Sequence, residues 1–541
     1  MNDKATLGER VKALRINPDA IQEVRVKGFL GEPGREEDYV IPNAEGKRAS
    51  LQIYASITTP DGFITPDGAR EGLAVFGDEL RAESASGLGN SHPSVHNLEI
   101  IARGGKPVRV DVVRKPEIKM HPFKDEVLVE AAKRFGTPVI VYHEGFIRDR
   151  ISRLANAFAW VPGGFMNHIA VKATDCAPII KMAYDSGMGL DCASPKELHL
   201  AERLGITGGR VILTSNATPA SLFRQARDMG AIPNLDDESH VAYYLRKVGA
   251  LPKLVYLRQN PAGFMTGGNR IIGEPDKQKY GIMRSQMVRT LRALEAAGVE
   301  EFGLHQMIVS NELREENLIG AARSLMQWGE DLSGETTMRL HGLNFGGGLG
   351  HAYRPEQIDV DEKIVAEGIR AAYGEILAKG KNANVQLKME NGRWLTAGAG
   401  VLLMDALHLE HKPGGTYVKV DASGNDFARV EAYGCYQHLV VPGKTGNDWL
   451  YNVAGPKCEN SDHWAINRLL PRVEEGDVLG LCGAGAHGHM MGSDYNGFPT
   501  CGEVMVMEDG SMQRLTRTNS LRDQFAKYDF PNSKFAFLVS D

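Results

Sequence analysis

The chain has few cysteines for its length, and their spacing gives no sign of a disulfide or metal framework. Six cysteines occur in 541 residues, and no two of them form a Cys-x-x-Cys pair. Small secreted scaffolds are dense in disulfides, and zinc sites often contain such pairs. The sequence therefore predicts reduced thiols, a cytoplasmic location and no metal site. His487 and His489 come nearest to a metal motif, but no further ligands accompany them at suitable spacing.

Long apolar runs and a basic charge excess are also missing. No apolar stretch reaches the roughly 20 residues that cross a bilayer, and the first residues lack the layout of a signal peptide. The net charge is −6 at pH 7, whereas a nucleic-acid-binding chain is usually basic. These absences predict a soluble globular protein that binds neither membranes nor nucleic acids. The length of the chain leaves room for two or three domains.

Between about residues 120 and 400, short apolar strand candidates alternate with amphipathic helical stretches. The eight strand candidates are His168–Ala173, Gly189–Ala193, Arg210–Ser215, Ala231–Leu235, Lys253–Gln259, Phe302–Gln306, Arg339–Phe345 and Val385–Glu390. Eight βα units in about 250 residues are typical of a TIM barrel. The competing doubly wound fold usually carries G-x-G-x-x-G after its first strand, which this chain lacks. We therefore predict an α/β protein with a TIM (β/α)8 barrel at residues 116–400.

The regions on either side of the barrel differ from it. Residues 401–541 are rich in short strand candidates separated by Gly, Pro and Asn turns, which predicts a β-rich domain. An early strand often joins such a domain, and Val139–Tyr142 is the candidate here. Residues 1–115 are an N-terminal appendage of unknown role. Its strand-like segments are Ile21–Val26, Leu51–Ser56 and Lys106–Val113.

Lys172 ends one of the predicted barrel strands, in the apolar run Ile169–Ala173. Burying a lysine there is costly unless its amine has a function. One such function is a Schiff base with the aldehyde of pyridoxal phosphate (PLP), because desolvation lowers the pKa of an amine. The alternative is a lysine that extends from the strand end into solvent. The run around Lys172, taken alone, favours this alternative.

Other groups suited to a phosphorylated cofactor fall at the carboxyl ends of the predicted strands. The seventh strand runs into the glycine loop Gly346–Gly348, and the eighth ends in Glu390, with Arg393 close behind. TIM barrels place their active sites at this rim, often with a phosphate near the loops after strands 7 and 8. Successive glycines let backbone N–H groups close around an anion. Together with Lys172, these groups predict a PLP site.

The motifs resemble those of the PLP-dependent decarboxylases with an alanine-racemase-like barrel, above all diaminopimelate decarboxylase and the eukaryotic-type ornithine decarboxylases. The resemblance covers roughly residues 120–520. The matching segments are Ala170–Ala173, Asp191–Leu198, Leu343–Gly350, Glu390–Arg393, Val420–Asp426, Gly455–Asp462, Gly483–Ala486 and Tyr495–Asn496. Agreement at so many ordered sites identifies the chain as a divergent member of this family of lyases.

The resemblance implies a role for each cofactor residue. Lys172 would hold PLP as a Schiff base, and CO2 would leave through a quinonoid intermediate. Glu390 would face the pyridine nitrogen, while Asp191 and Glu197 would support the lysine and the ring indirectly. The phosphate and the rest of the cofactor would be contacted by Ser310, Gly346, Gly347, Gly348, Arg393, Met307, His487 and Tyr495.

The family builds its active sites at a dimer interface, so the resemblance implies a homodimer with shared sites. Cys458 would enter the partner's site and protonate Cα after CO2 leaves. Arg429 and Tyr433 would bind a distal carboxylate of the substrate, because the guanidinium group of an arginine can form two parallel hydrogen bonds with a carboxylate. Glu459 would bind a distal ammonium group. Asp462, in the same motif, is a further candidate substrate-binding residue. The implied substrate is a diamino acid such as meso-diaminopimelate, in amino-acid biosynthesis.

Three positions depart from the family pattern. Met307 stands where the family has a histidine stacked on PLP, Val309 replaces a glycine and His487 replaces a tyrosine, while His305 is a candidate to compensate in part. These changes keep three alternatives open. The first is a decarboxylase that acts on another amino acid, such as ornithine, lysine or arginine, as the L or the D enantiomer. The others are an amino-acid racemase and a PLP-binding regulator without turnover. The cysteine motif disfavours the racemase, and the retained Lys172 disfavours the regulator.

Overall fold

The computed structural model describes three successive bodies of structure: a sheet with helices, a parallel barrel and a β-rich domain. The described residues are 6–12, 14, 18, 21–27, 38–59, 62–85, 93–104, 106–114, 119–260, 278–446 and 449–528. Within these ranges no helix has the length and apolar character needed to cross a membrane. The same ranges contain no group of three or more His, Cys, Asp or Glu side chains that could hold a metal ion.

The N-terminal region combines an antiparallel sheet with helices. Its strands are β1 (Ile21–Val26), β2 (Tyr39–Pro42), β3 (Phe63–Ile64) and β4 (Val108–Arg114), and they lie in the order β2-β1-β4-β3. Its helices are α1 (Leu7–Lys12), α2 (Arg48–Ile57), α3 (Pro66–Phe76), α4 (Asp78–Ala85) and α5 (Pro93–Gly104). Buried side chains from both layers, such as Val24 and Leu98, form a separate core. The strands expected at Ile21–Val26 and Lys106–Val113 are confirmed as β1 and β4.

The strand expected at Leu51–Ser56 is wrong, because these residues belong to α2. The run alternates apolar and polar residues at its start, but its apolar residues also fit the three- and four-residue spacing of a helix. Leu51, Tyr54 and Ala55 are all buried. Tyr54 Oη donates a hydrogen bond to the backbone O of Ser94 in α5 at 2.7 Å. Packing against the neighbouring helix therefore decides between two patterns that the sequence leaves equal.

Eight parallel strands close into a barrel, and all eight predicted strands are confirmed. They are β6 (Phe165–Ala170), β7 (Gly189–Cys192), β8 (Val211–Thr214), β9 (Ile232–Leu235), β10 (Leu254–Asn260), β12 (Glu301–His305), β13 (Arg339–Asn344) and β14 (Gln386–Met389). Pairing of β14 with β6 and of β9 with β10 completes the ring. The short β11 (Ile282–Met283) pairs with the end of β10. The barrel strands are apolar and buried, as expected when helices cover a parallel sheet.

Helices connect the barrel strands on the outside. Those after the barrel strands are α8 (Ala177–Asp185), α9 (Pro195–Arg203), α10 (Ala220–Asp228), α11 (Ser239–Lys247), α12 (Arg284–Ala296), α13 (Glu315–Ser333), α14 (Glu362–Ile376) and α15 (Arg393–Thr396), and α7 (Glu144–Ala157) leads into β6. The helix α6 (Asp125–Phe135) comes before β5 and packs against the β-rich domain instead. Side-chain caps fix where some of them begin. Ser194 Oγ accepts from the N–H of Glu197 before α9, and Asp361 accepts from the N–H of Lys363 before α14.

The β-rich domain includes one strand from before the barrel. Its elements are β5 (Val139–His143), β15 (Gly400–Lys412), β16 (Gly415–Val420), α16 (Arg429–Tyr433), β17 (Leu439–Val440), β18 (Trp449–Ala454), β19 (His463–Leu470), β20 (Val478–Cys482), β21 (Gly502–Val506), β22 (Met512–Thr516) and α17 (Leu521–Phe525). The main sheet has the order β19-β18-β16-β15-β5-β21-β22, and β20 pairs with β15. The expected early strand at Val139–Tyr142 is confirmed as β5. Sequence reasoning missed β18, β19 and β22.

Candidate active site

Lys172 follows the first barrel strand instead of lying within it. β6 ends at Ala170, and Val171–Ala173 form a turn of 3-10 helix. The Lys172 Nζ lies 3.3 Å from Oδ2 of Asp191, which is buried in the neighbouring β7. The Lys172 side chain as a whole is 48% exposed, while its amine is desolvated beside the buried acids. The turn carries the side chain past the packed end of the strand.

The charge environment of Lys172 differs from the expectation. Burial lowers the pKa of its ammonium group, but the carboxylates of Asp191 and Glu390 outweigh this effect and raise the pKa above its ordinary value. The expected lowered pKa is therefore wrong for this chain without its cofactor. Lys172 is the cation of a cluster that contains two buried acids.

Glu390, directly after β14, is held by side chains from two neighbouring strands. Its Oε1 accepts a hydrogen bond from Asn344 Nδ2 at 2.7 Å, and its Oε2 lies 3.1 Å from His305 Nε2. Burial raises the pKa of the Glu390 carboxyl, but His305 and Lys172 together hold it below its ordinary value. Glu390 is therefore ionised, which is the state that keeps a pyridine nitrogen protonated.

The glycine loop has the backbone shape of an anion cradle. Gly346 and Gly348 adopt φ angles of 73° and 117°, which strain any residue with a Cβ. A Cβ at Gly346 would lie 2.3 Å from the backbone O of Gln306, and one at Gly348 would lie 2.5 Å from Val309 Cγ2. The loop after β12 packs so closely that only glycine fits here.

The loop after β12 also places Met307 and Ser310 beside the glycines. Met307 Sδ accepts from the N–H of Gly347 at 3.3 Å, and both Met307 and Ser310 are half-buried. A thioether can pack on an aromatic ring but has no proton to donate. The Nδ1 atom of His305 is buried and has no hydrogen-bond partner among the described residues. Its Nε2 is engaged by Glu390, so His305 supports the acid, and its expected compensation for the stacking histidine stays a prediction.

Tyr353 joins the predicted phosphate arginine to the predicted substrate arginine. Arg393 Nη1 donates to Tyr353 Oη at 2.9 Å, and Arg429 Cζ lies 3.9 Å from the centre of the Tyr353 ring. All three residues are buried. Arg429 Nη1 donates to Gln437 Oε1 at 3.3 Å, while its buried Nε has no partner in the described part of the chain. Two guanidinium groups held this way suit a ligand with two anionic groups.

His487 lies among the cations of the site. Its backbone N–H donates to the carbonyl of Ala173 at 2.8 Å, directly after Lys172. Burial lowers the pKa of its imidazole, and the charges of Arg393, Lys172 and Arg429 lower it further. His487 is therefore neutral at pH 7 and can donate or accept a hydrogen bond. Its surroundings show that the lysine and both arginines converge on one place.

Cys458, Glu459 and Tyr495 form a second group, on the surface. Tyr495 Oη donates to Glu459 Oε1 at 2.5 Å. Cys458 and Tyr495 are exposed. Within the described ranges, no hydrogen bond or ion pair joins any of the three to Lys172. The structure therefore does not bring these predicted residues to the Lys172 site of the same chain.

Asp462 supports the loop of the surface group, and Tyr433 lies at the end of α16. Asp462 is buried, and its two carboxylate oxygens accept from the backbone N–H groups of Gly424 and Lys457 at 2.9 and 3.0 Å. It thereby fixes the loop that carries Cys458. Tyr433 ends α16 and is 38% exposed. The substrate contacts predicted for both residues stay predictions.

Two residues of the site, Arg258 and Tyr353, escaped sequence reasoning. Arg258 lies near the end of β10, where Nη1 is 3.3 Å from Asp236 Oδ1 and Cζ is 3.9 Å from the centre of the Tyr280 ring. Its charge acts against the raised pKa of Lys172. The rule that barrel sites lie at strand ends could have found Arg258. Tyr353 lies in a loop and carried no such signal.

The described residues fit PLP. Lys172 would bind the aldehyde carbon, Glu390 the pyridine nitrogen, and the Gly346–Gly348 loop with Ser310 and Arg393 the phosphate. The backbone of this loop depends on its two positive-φ glycines, because a Cβ at either one would collide with the loop after β12. The unpaired Nε of Arg429 and Nδ1 of His305 are buried polar atoms of the kind that a bound ligand satisfies.

Comparison with known proteins gives a consistent result. Residues 144–397 match the family model of the pyridoxal-dependent decarboxylase pyridoxal-binding domain. TabA from Pseudomonas amygdali pv. tabaci is 33% identical over 398 residues, which cover 73% of this chain and 92% of TabA. The diaminopimelate decarboxylase of Methanothermobacter thermautotrophicus is 30% identical over 403 residues, covering 73% of this chain and 93% of that protein.

The fold agrees as well. The crystal structure of M. jannaschii diaminopimelate decarboxylase with L-lysine superposes with a TM-score of 0.69 at 26% identity, over 74% of this chain and 94% of that chain. The resemblance inferred from the motifs, the barrel fold and the PLP cofactor are thereby confirmed. The chain belongs to the PLP-dependent decarboxylases of the alanine-racemase-like barrel fold, and it is a carboxy-lyase.

Proposed function

We propose that this enzyme decarboxylates a diamino acid with a distal carboxylate, meso-diaminopimelate being the best candidate. The observation that carries this proposal is Arg429, which is buried and has an unpaired Nε. No carboxylate pairs with Arg429 in the described ranges. A buried guanidinium without an anionic partner is costly, and a substrate carboxylate would balance it with two parallel hydrogen bonds.

The position of Arg429 supports the proposal. Tyr353 connects it to Arg393, the group that would hold the cofactor phosphate. A carboxylate bound by Arg429 would leave the other end of the substrate to reach Lys172. Holding the far end in this way orients the bond that must break, since decarboxylation needs that bond perpendicular to the cofactor ring.

The remaining residues then have defined tasks. PLP, when bound, supplies an electron sink for the pair of electrons that CO2 leaves behind. Glu390 stays ionised through His305 and Asn344 and would hold the pyridine proton. Lys172 would bind the aldehyde carbon, and neutral His487 would contribute a hydrogen bond near the two arginines.

We further propose a homodimer that shares its active sites. Cys458 is exposed, and Asp462 fixes its loop from within the same chain. A reactive residue that is rigidly presented on the surface suits a site completed by a second copy. Cys458 would protonate Cα there, and Glu459 would face the distal ammonium group. Six free cysteines fit a reducing compartment, so we also propose a cytoplasmic location.

A second candidate substrate class follows from Met307. Its thioether receives the Gly347 N–H in the place of a stacking histidine, which changes the contact with the cofactor ring. This change favours an active site with altered substrate specificity. Such a site would act on the L or the D enantiomer of another amino acid, such as lysine, ornithine or arginine.

The test is CO2 release by the PLP-loaded protein across a panel of amino acids. The panel contains meso-diaminopimelate and both enantiomers of lysine, ornithine and arginine. We expect the highest kcat/KM with meso-diaminopimelate. A higher kcat/KM with any panel member that lacks a distal carboxylate would contradict the proposed substrate. It would favour an active site with altered substrate specificity.

A further inference from the structure

Tyr353, which joins the two arginines of the active site, is itself held by a histidine of the same loop. The ring of His351 stands edge-on to the Tyr353 ring, with the ring centres 5.0 Å apart and the ring planes at 78°. Both side chains are buried. Edge-to-face pairs of this kind favour one relative orientation of the two rings. His351 therefore limits how the Tyr353 ring can turn.

An ionised carboxylate fixes the orientation of the His351 ring. His351 Nδ1 lies 3.1 Å from Asp359 Oδ1, which also accepts from the backbone N–H of Ala352 at 2.7 Å. Burial raises the pKa of the Asp359 carboxyl, but His351 and Arg150 outweigh this effect and hold the pKa below its ordinary value. An ionised carboxylate can only accept hydrogen bonds, so Nδ1 of His351 carries the proton that joins the two side chains.

The groups that anchor His351 belong to segments of the cofactor site. Its backbone N–H donates to Asn311 Oδ1 at 2.9 Å, in the loop that also carries the predicted phosphate serine. Asp359 forms an ion pair with Arg150 of α7, and Arg150 Cζ lies 4.3 Å from the ring centre of Trp394 in α15. The helix α15 begins with the predicted phosphate arginine. His351 is thus tied to two segments that would bind the cofactor phosphate.

Two glycines leave room for the pair of rings. A Cβ at Gly398 would lie 2.9 Å from Cε1 of His351, and a Cβ at Gly483 would lie 3.0 Å from Cδ1 of Tyr353. The main chain therefore packs directly against both rings. Such packing leaves little free space that could absorb a movement of either ring.

Tyr353 passes this constraint to Arg393 and Arg429. Arg393 donates to the Tyr353 hydroxyl group, and Arg429 Cζ lies 3.9 Å from the centre of the Tyr353 ring. A guanidinium group that stacks on an aromatic ring follows the plane of that ring. In the described part of the chain, no hydrogen bond or ring contact joins His351 directly to either arginine. Any influence of His351 on them must therefore pass through Tyr353.

We propose that His351 is a positioning residue for substrate recognition, because it fixes the tilt of Tyr353 and thereby the direction of the Arg429 guanidinium group. The inference rests on the proposed function, which gives Arg429 its task. The role needs no contact between His351 and the substrate. Removing the His351 ring should therefore weaken substrate binding, while the chemical step at Lys172 and PLP should keep its rate.

Steady-state kinetics of the full-length, PLP-loaded protein test this role, with the panel amino acid that the wild type uses best. His351→Asn keeps a donor for Asp359 but removes the ring. We expect KM to rise about threefold to tenfold, the range of a lost aromatic pair, with kcat nearly unchanged. The control is His121→Ala, which removes a half-buried histidine ring 6.1 Å from Phe123 and should leave both constants unchanged. An unchanged KM in His351→Asn would overturn the proposal.

A double-mutant cycle separates an effect through Tyr353 from a general structural defect. In the Tyr353→Leu background, His351→Asn should raise KM by less than about twofold, because the ring that it positions is already gone. If the effects of the two single changes instead multiply in the double variant, His351 does not act through Tyr353 and the proposal fails.

The same cycle measured on PLP affinity makes the result independent of the substrate. Equilibrium dialysis of PLP should also show non-additive effects, since Tyr353 receives the hydrogen bond from Arg393. A wrong substrate assignment would leave this arm intact, because it contains no substrate. Additive effects on PLP affinity would overturn the positioning role even if meso-diaminopimelate is the preferred substrate.

Discussion

At the scale of single residues, the properties of the active site come from partners that are distant in the sequence. Lys172 is a cation because Asp191 and Glu390 converge on it from two other strands. The motif around Lys172 correctly indicated the cofactor, because it matches the motif of the PLP lysine in the family that the chain resembles. It could not indicate exposure or charge state, because these depend on the turn Val171–Ala173 and on packing between strands.

Replacing Lys172 tests the cofactor assignment. Lys172→Ala should lose the visible absorbance of lysine-linked PLP and all CO2 release, because Lys172 is the amine that pairs with Asp191 at the rim of the barrel. The matched control is Lys196→Ala, which removes a lysine that is 74% exposed and paired with Asp175. An unchanged absorbance spectrum in Lys172→Ala would show that another lysine binds the cofactor.

Tyr353 offers a test of how the two arginines are held together. Tyr353→Phe keeps the ring beneath Arg429 but removes the hydrogen bond from Arg393. We expect PLP affinity to fall about tenfold, which corresponds to one buried hydrogen bond, with little change in substrate KM. Tyr353→Leu removes the ring as well and should also raise KM.

Equilibrium dialysis of PLP and steady-state kinetics measure the two effects separately. If both variants change PLP affinity and KM in the same proportion, Tyr353 has only a general structural role.

At the scale of helices and strands, the sequence predicted the barrel well and the N-terminal region poorly. Each barrel strand is a short apolar run bounded by turns, so its pattern allows one interpretation. The Leu51–Ser56 run fits two patterns, and contact of Tyr54 with Ser94 favours the helix. β18 and β19 were missed because their buried and exposed residues do not alternate regularly.

His168 in β6 gives the barrel a pH-dependent stability. Burial, together with the charge of Lys388, lowers the pKa of its imidazole from 6.5 to about 3. The unfolded chain therefore binds an extra proton as the pH falls below 6.5, so acid favours unfolding in this window. His168→Leu should remove about 2 kcal/mol of the stability that the wild type loses between pH 7 and pH 5.

Urea unfolding at pH 7 and pH 5 provides the measurement. His199→Gln, which changes a histidine that is 66% exposed on α9, is the control and should leave the pH dependence unchanged. Equal losses of stability in the wild type and in His168→Leu would contradict a buried neutral His168.

At the scale of the whole molecule, a shared active site predicts complementation between two inactive variants. Lys172→Ala lacks the cofactor lysine, and Cys458→Ala lacks the proposed proton donor. Dissociated and reassembled together, they should recover about a quarter of the wild-type activity, because half of the dimers are mixed and each has one intact site. Neither variant should recover alone. No recovery in the mixture, with dimers present by light scattering, would show that Lys172 and Cys458 of the same chain act together.

The sequence was least informative about how the parts of the molecule meet. The division into residues 1–115, 116–400 and 401–541 stays a prediction, although β5 shows that the chain enters the β-rich sheet before it builds the barrel. A cavity between β4 and the strands β17 to β19 combines residues from distant segments. No local pattern could have predicted it, because its walls exist only after those segments pack.

The central claim is that Arg429 recognises a distal carboxylate. The most direct test compares kcat/KM for meso-diaminopimelate and for lysine, which lacks that carboxylate, in the wild type, Arg429→Gln and the control Arg472→Gln. Arg429→Gln should lose roughly 10- to 100-fold with meso-diaminopimelate, the range of a lost charge-assisted contact, and little with lysine. Arg472→Gln should match the wild type. Equal losses of Arg429→Gln on both substrates would contradict the claim.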